Sequence, residues 1–326
     1  MATTLSVALA SCNGARHLGS QLQSILEQSV HPSEIVIADD VSTDGSLKVI
    51  NDFAKRAPFP VRLTVNEERL GWKRNFARAA LQCSGDLIAF CDQDDIWLPA
   101  KIECVLESLE KDAWHAVVHA NAFMFDSSIE LRRSSRPRLR KFSRATALYG
   151  GFDGHRLIFR RELLQWLKYQ NKFQDPLFPG EIAHDRLVML AALTVGQVTY
   201  LDKPLTLFRR HEAQVTIRGM RRSQGSDYMA RALVLEEWCT SIRNVGKELA
   251  INDSSVEKMA NCLGNLKATH DYRSTLYGAE TFSERLKLFG SALLRKSYAR
   301  KDTGGLGLLS MAKDAACVFV PAVTRG

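Results

Sequence analysis

The chain has 326 residues, 45% of them apolar and 25% charged, which excludes a disordered chain, a collagen-like fibre and a disulfide scaffold. At roughly 150 residues per domain the length suits about two domains with a sizeable core. The formal net charge of +8 is uneven: +7 with no acid between 131 and 152, +6 over 218–326, and −5 on the remainder.

Leu5–Ser11 is a short apolar run and reads as a first strand. It lacks the basic flank and the length of a secretory leader. Leu18, Leu22, Ile25 and Leu26 then recur at helical spacing. Glu34–Asp40 is a second strand ending in carboxylates, followed by a helix carrying Leu47, Ile50 and Phe53. Val61–Val65 is strand-like and Lys73–Leu81 helical. Asp86–Asp92 is a fourth strand, again ending in acids; Pro99 suits the start of the next helix, and Ala116–Phe125 is a fifth strand. A basic segment follows, with Arg132, Arg133, Arg136, Arg138, Arg140, Lys141 and Arg144. It reads as a solvated loop placed where a flap or a lipid-diphosphate contact would lie. Beyond it come a strand over His155–Phe159, a helix over Glu162–Tyr169, an apolar helix over Ile182–Val195, and two strands, Gln197–Leu201 and Leu205–Arg209. From about residue 220 the pattern is helical only.

This alternation implies an α/β fold, a mostly parallel sheet with helices on both faces. Ligands of such sheets bind beyond the carboxyl ends of the strands. Seven scattered cysteines without a C-x-x-C pair suit small buried side chains in a reducing compartment. No run of 18 apolar residues suggests a membrane span.

The sharpest chemical feature is Cys91-Asp-Gln-Asp-Asp-Ile-Trp97. Three carboxylates within four residues repel one another unless a cation is present, and hard divalent cations take oxygen ligands. A solvated turn capping the next helix is the plainer alternative. The second feature is Asp39-Asp-Val-Ser-Thr-Asp-Gly-Ser46. Helix capping accounts for Thr43, Asp44 and Ser46, but poorly for the adjacent pair Asp39 and Asp40. Those carboxylates could accept a hydrogen bond from a base N–H or a ribose hydroxyl.

Together these motifs resemble the family 2 glycosyltransferases, inverting enzymes of the GT-A fold, and in particular rhamnosyltransferase-like bacterial members. The resemblance covers about residues 4–217. It rests on Ala10–Gly14, Asp39–Ser46, Asp92–Trp97, His184-Asp185 and the stretch Tyr200–His211. Cys12 stands where the family's opening turn usually has an aromatic residue.

The resemblance implies a nucleotide-sugar-binding half over 1–125 and an acceptor half over 126–217, with 218–326 as a helical C-terminal region. It implies Ser11, Asn13, Asp39, Asp40, Lys73, Arg74 and Asp92 around the nucleotide, and Mn2+ or Mg2+ held by Asp94 with Asp92 and Asp95. Arg209 and Arg210 suit the diphosphate as bidentate donors, and His211 a further metal ligand. Asp185 becomes the general base, with Glu181 as the alternative and His184 orienting the pocket or packing. The missing Q-x-x-R-W motif of processive members argues for addition of a single sugar.

The implied reaction is metal-dependent hexosyl transfer from a UDP-, dTDP- or GDP-sugar to a glycan or lipid-linked glycan, in the cytoplasm and without nucleic acid. A nucleotidyltransferase would need a Gly-rich basic loop after the first strand, which Ser11–Arg16 matches poorly. A non-enzymatic adaptor binding RNA or membrane leaves the carboxylate motifs unexplained. In the tail, Phe282, Leu286, Phe289 and Leu293 share one helical face beside Arg285 and Lys287. This suggests either packing on the catalytic domain or peripheral attachment to the inner face of the cell membrane.

Overall fold

The computed structural model describes residues 2–111, 113–125, 128–133, 153–175, 180–211 and 225–294, with Met311, Asp314, Ala315 and Val318. Two compact units are formed. One is drawn from 1–142, 150–170 and 183–218, the other from 143–149, 171–182 and 219–326.

The first unit is built on a mixed sheet. Strands β1 (Leu5–Ser11), β2 (Glu34–Asp39), β3 (Val61–Val65) and β4 (Leu87–Cys91) run parallel in the order β3-β2-β1-β4. Every residue of β1, β2 and β4 is buried, as expected for strands covered by helices on both faces. On one face Val7, Leu9, Ile35, Ile37, Leu87 and Cys91 join Leu18, Leu22 and Ile25 of α1 (Ala15–Leu26) and Ile50 and Phe53 of α2 (Ser46–Ala54) in a single core. On the other, Phe90 meets Phe76 of α3 (Trp72–Leu81) edge to face, centroids 5.8 Å apart.

Beyond β4 the sheet changes direction. The next partner in space is antiparallel β8 (Leu157–Arg160), then β6 (Ala116–Phe125), then β9 (Val198–Arg210) parallel to β6. A two-residue strand, β5 (Ile96–Trp97), pairs antiparallel with Leu207 and Thr206 of β9. It draws the acidic motif to that strand, and α4 (Lys101–Lys111) starts just after it. Strand β7 (Ser128–Arg133) pairs antiparallel with β6. Arg132 and Arg133 therefore lie on a strand, where a loop was expected; the rest of the basic segment lies outside the described residues. The helix expected over Glu162–Tyr169 shortens to a 3-10 turn and α5 (Leu164–Leu167).

The two strands expected over 197–209 are one. The ladder to β6 steps from His119↔Leu201 to Ala120↔Pro204, so Asp202 and Lys203 bulge out and pairing resumes. Pro204, which has no N–H to donate, is tolerated at such a bulge. Helix α6 (His184–Val195) is buried around most of its circumference, as its apolar sequence demands.

The second unit contains α7 (Gly225–Glu248), α8 (Asp253–Gly278) and α9 (Phe282–Leu294). Asn252 caps α8 by accepting from Ser254 N at 2.9 Å. The apolar stripe expected along α9 is divided. Phe289 is buried with Leu276, Ala292 and Val318, while Phe282, Leu286 and Leu293 stay 57%, 42% and 43% exposed. Phe289 lies at the edge of the stripe nearest Ala292, so only that edge meets α8. Of the cysteines, Cys83, Cys91 and Cys262 are buried, Cys12, Cys104 and Cys239 only half so; Cys317 lies outside the described residues.

Candidate active site

The parallel order reverses between β1 and β4, and the loops at their carboxyl ends flank the crevice where α/β sheets bind ligands. The loop after β1 is laced to the loop after β2. Asn13 N donates to Ser42 Oγ at 2.8 Å, Thr43 N to Asn13 Oδ1 at 2.8 Å, and Gly14 N to Ser46 Oγ at 2.8 Å. Asn13 and Val41 both adopt left-handed backbone, φ 48° and 57°. That is ordinary for Asn and strained for a β-branched residue, a cost typical of functional loops.

Asp39 is fully buried and accepts from Ser42 N and Oγ at 2.8 and 2.7 Å. Asp40 accepts from Asn66 Nδ2 (2.8 Å), Leu70 N (2.7 Å) and Gly71 N (2.9 Å). Both carboxylates are thus keystones of the loops as well as candidates for a nucleotide. Ser11 is buried beside them, its carbonyl accepting from Asp40 N and Asn75 Nδ2. Gly71, at φ 77°, opens α3, whose first turn carries half-buried Lys73 and exposed Arg74.

The acidic loop after β4 is fastened at both ends. Gln93 spans the crevice: its Oε1 accepts from Cys12 N at 2.9 Å and its Nε2 donates to Cys12 O at 3.1 Å. From β9, Arg209 donates Nε to Asp94 O (2.7 Å) and its backbone N to Asp95 Oδ1 (3.0 Å). His211 Nε2 lies 2.8 Å from Asp94 Oδ2. Arg210, the next residue along the strand, instead holds its guanidinium over the rings of Phe123 and Phe208 at 5.1 and 5.3 Å. Arg209 and His211 thus converge on the acidic loop, and Arg210 stacks away from Asp94.

Three features here carry no sequence signal. His155 Nδ1 lies 3.6 Å from Asp92 Oδ2 and from Asp95 Oδ2. Among the described residues these three side chains form the one cluster with metal-ligand spacing. Lys101 is buried nearby, donating to His155 O at 2.8 Å and Thr206 Oγ1 at 3.1 Å, with its ammonium 3.8 Å from the Trp97 ring centroid. Gln93 is the third. Nothing in the spacing of a lone His, a helix-start Lys or a motif's middle residue announces these roles.

Crowded, desolvated charge shapes the local acidity. Burial, reinforced by Asp92 and Asp94, raises the Asp95 carboxyl well above the usual range. Burial raises Asp92 to about 6, with Asp185 adding to the rise. It lowers the Lys101 ammonium to about 7. A buried cluster that resists carrying its own negative charge is what a divalent cation relieves.

Asp185 stands in the first turn of α6, its Oδ1 accepting from Arg186 N at 2.7 Å. Gly154 lies beside it: a Cβ on this glycine would sit in ordinary contact, 3.5 Å from Asp185 Oδ2. The next residue, His155, faces Asp92 and Asp95, so Gly154-His155 links the Asp185 carboxylate to the acidic loop. His184 is a packing residue: its ring stacks on Phe76 at 4.2 Å and meets Phe90 at 4.5 Å, and burial lowers its pKa to about 3. Glu181 belongs to the second unit, in a β-bridge with Gln174.

An acidic loop at the switch point of a parallel α/β sheet marks a ligand-binding enzyme fold, and the comparisons narrow it to a family. Residues 6–178, more than half the chain, match the model of glycosyl transferase family 2. The chain belongs to that family. It is 28% identical over 246 residues to the dTDP-rhamnosyl transferase RfbG of Shigella flexneri, covering 71% of this chain and 80% of that protein. It is 26% identical over 216 residues to a glycosyltransferase of Nostoc sp. PCC 7120, covering 64% of this chain and 65% of that one. Among solved structures, S. aureus TarS 1-349 in complex with UDP-GlcNAc matches with a TM-score of 0.56 at 15% identity, over 97% of this chain and 88% of that one. That likeness establishes the GT-A fold.

Proposed function

We propose that the protein transfers one sugar, with inversion, from a nucleotide-sugar to a hydroxyl of a glycan acceptor during assembly of a bacterial surface polysaccharide. The observation that carries this reading is the convergence of Asp92, Asp94 and Asp95 with Arg209, His211 and the Asp185 carboxylate at the sheet's switch point. TarS binding UDP-GlcNAc and the dTDP-rhamnosyl activity of RfbG support a UDP- or dTDP-sugar among the expected donors.

In this reading catalysis belongs to the first unit, drawn from 1–142, 150–170 and 183–218, with the donor held by 1–125. Asp39, Asp40, Ser11 and Asn13 form the base and ribose side, and Lys73 and Arg74 border it. Asp92 faces the ribose and the cation. The acidic loop fits Mn2+ or Mg2+: Asp95 is fully buried and its Oδ2 has no hydrogen-bond partner, while Asp92 and Asp94 are partly open to solvent. When bound, the cation neutralises charge developing on the leaving diphosphate. Arg209 positions the loop through Asp94 and Asp95, and Arg210 reaches phosphate oxygens only by leaving its aromatic stack. Asp185 takes the proton from the acceptor hydroxyl as that oxygen attacks from the face opposite the nucleotide.

Among the described residues no helix is long and apolar enough to cross a membrane. The exposed apolar edge of α9, with Lys287 beside it, supports peripheral attachment at the cytoplasmic face, where a lipid-carried acceptor would share its plane.

A panel of UDP-, dTDP- and GDP-sugars, incubated with the full chain with and without Mn2+, tests the reading. Metal-dependent release of the nucleoside diphosphate from one donor class is expected. No release from any donor would overturn it.

A further inference from the structure

Family membership accounts for a cation near the D-x-D carboxylates, but not for His155. We propose that His155 is a nitrogen ligand, and that Asp92, Asp95 and His155 form an inner divalent-cation site separate from the Asp94–His211 pair. This rests on the reading that the acidic loop takes a cation and is independent of which sugar is moved.

The His155 side chain is fully buried, and its ring lies flat against Phe208, centroids 4.9 Å apart at 9°. The stack fixes the ring plane and so the direction of Nδ1. Neither ring nitrogen has a hydrogen-bond partner, and neither does Asp95 Oδ2. Asp95 Oδ1 is already taken by Arg209 N. The unsatisfied Nδ1 is 3.6 Å from the unsatisfied Oδ2 of Asp95 and 3.6 Å from Asp92 Oδ2.

Each buried polar atom left unpaired costs about 1–3 kcal/mol, and folded proteins rarely aim two at one point without reason. At 3.6 Å these atoms are too far apart to hydrogen-bond. They are close to the separation of two ligands on one ion, which at metal–ligand distances near 2.1 Å is roughly 3.0–3.4 Å. Lys101 does not fill the gap, because its ammonium is directed to His155 O and Thr206 Oγ1. When protonated, Lys101 offsets part of the carboxylate charge at Asp95.

The Asp94–His211 contact is a direct 2.8 Å pair, its side chains 20% and 10% exposed; in the inner set Asp95 and His155 are fully buried, and Asp92, 31% exposed, is the ligand that opens to solvent. The inner set of one imidazole and two carboxylates suits a transition ion better than Mg2+, which prefers oxygen ligands and keeps much of its water. The chain is therefore expected to hold Mn2+ more tightly than Mg2+ before any nucleotide arrives.

The experiment uses the full chain without nucleotide. Free Mn2+ is titrated by electron paramagnetic resonance, and pulsed measurements on bound Mn2+ detect coupling to imidazole nitrogen. His155→Phe keeps the stack on Phe208 and removes both nitrogens; His211→Phe removes the outer imidazole. Nitrogen coupling should persist in His211→Phe. Mn2+ affinity should fall about ten- to a hundredfold in His155→Phe, at least the loss that even outer-shell partners cause. Circular dichroism and Tm in EDTA check that His155→Phe folds. Should it not fold, His211→Phe alone decides: coupling that survives supports the inner site, and coupling that vanishes overturns it. Unchanged Mn2+ affinity in a folded His155→Phe also overturns it. Mn2+ that binds without coupling to His155 leaves the donor-release reading standing, whereas no Mn2+ binding at all fails both.

Discussion

Asp185 is the residue whose role separates binding from turnover. A base that acts on the acceptor contributes little to holding the donor, so Asp185→Asn should leave nucleotide-sugar affinity nearly unchanged. Turnover should fall by about 10²–10⁴-fold. Glu181→Gln is the control, since Glu181 lies in the other unit. Normal turnover in Asp185→Asn with a dead Glu181→Gln would move the base to Glu181. His184, next in the chain, takes no part in proton transfer in this reading. Its ring is locked among Phe76, Phe90 and Trp72, and burial keeps it neutral.

At the scale of elements, Glu34 shows how the parallel strands are tied together. It begins β2, and its carboxylate accepts from Ser6 Oγ (2.7 Å), from Ser84 N and Oγ (2.6 and 2.8 Å), and from the Arg62 guanidinium. Burial pushes its pKa up, but these donors outweigh burial and hold it below the ordinary value of 4.5. A lowered carboxylate adds stability that is present above the unfolded-state pKa and lost as pH falls through the folded one. Glu34→Gln should therefore cost about 2–3 kcal/mol at pH 7. The Tm gap between wild type and variant should narrow as pH falls below about 4.5. A gap that stays constant over that range would assign the loss to packing.

The parallel half of this sheet was legible in the sequence because β1, β2 and β4 are largely apolar runs that stop at acids or small polar residues. That placed Asp39, Asp40, Asp92, Asp94 and Asp95 at strand ends. What reaches those loops from far along the chain was not legible. His155 and Thr206 arrive through pairings that no spacing rule encodes; Arg209 was placed at the site by the resemblance, but as a diphosphate donor and not as the residue that holds Asp94 and Asp95; and β5 is too short to show a period. The bulge in β9 looked like a turn because Asp202-Lys-Pro204 has turn chemistry, while the ladder to β6 carries the strand through it.

At the scale of the whole molecule, the proposed peripheral attachment through the cationic excess and the apolar edge of α9 makes a test possible. Full-length protein should co-sediment with anionic liposomes at low salt and detach as salt rises. Replacing Phe282, Leu286 and Leu293 by Glu should abolish binding without lowering Tm, because their side chains are already exposed. Equal sedimentation of wild type and the triple variant would mean that α9 does not make the contact. Gln93 carries a different consequence. Its amide is bonded twice to Cys12, and it occupies the space that any side chain on Gly14 would need. The two lips of the crevice are thus buttoned to each other. A donor that shifts the acidic loop must either drag the β1 turn along or undo the button, so the grip on the sugar and the grip on the base are felt as one event.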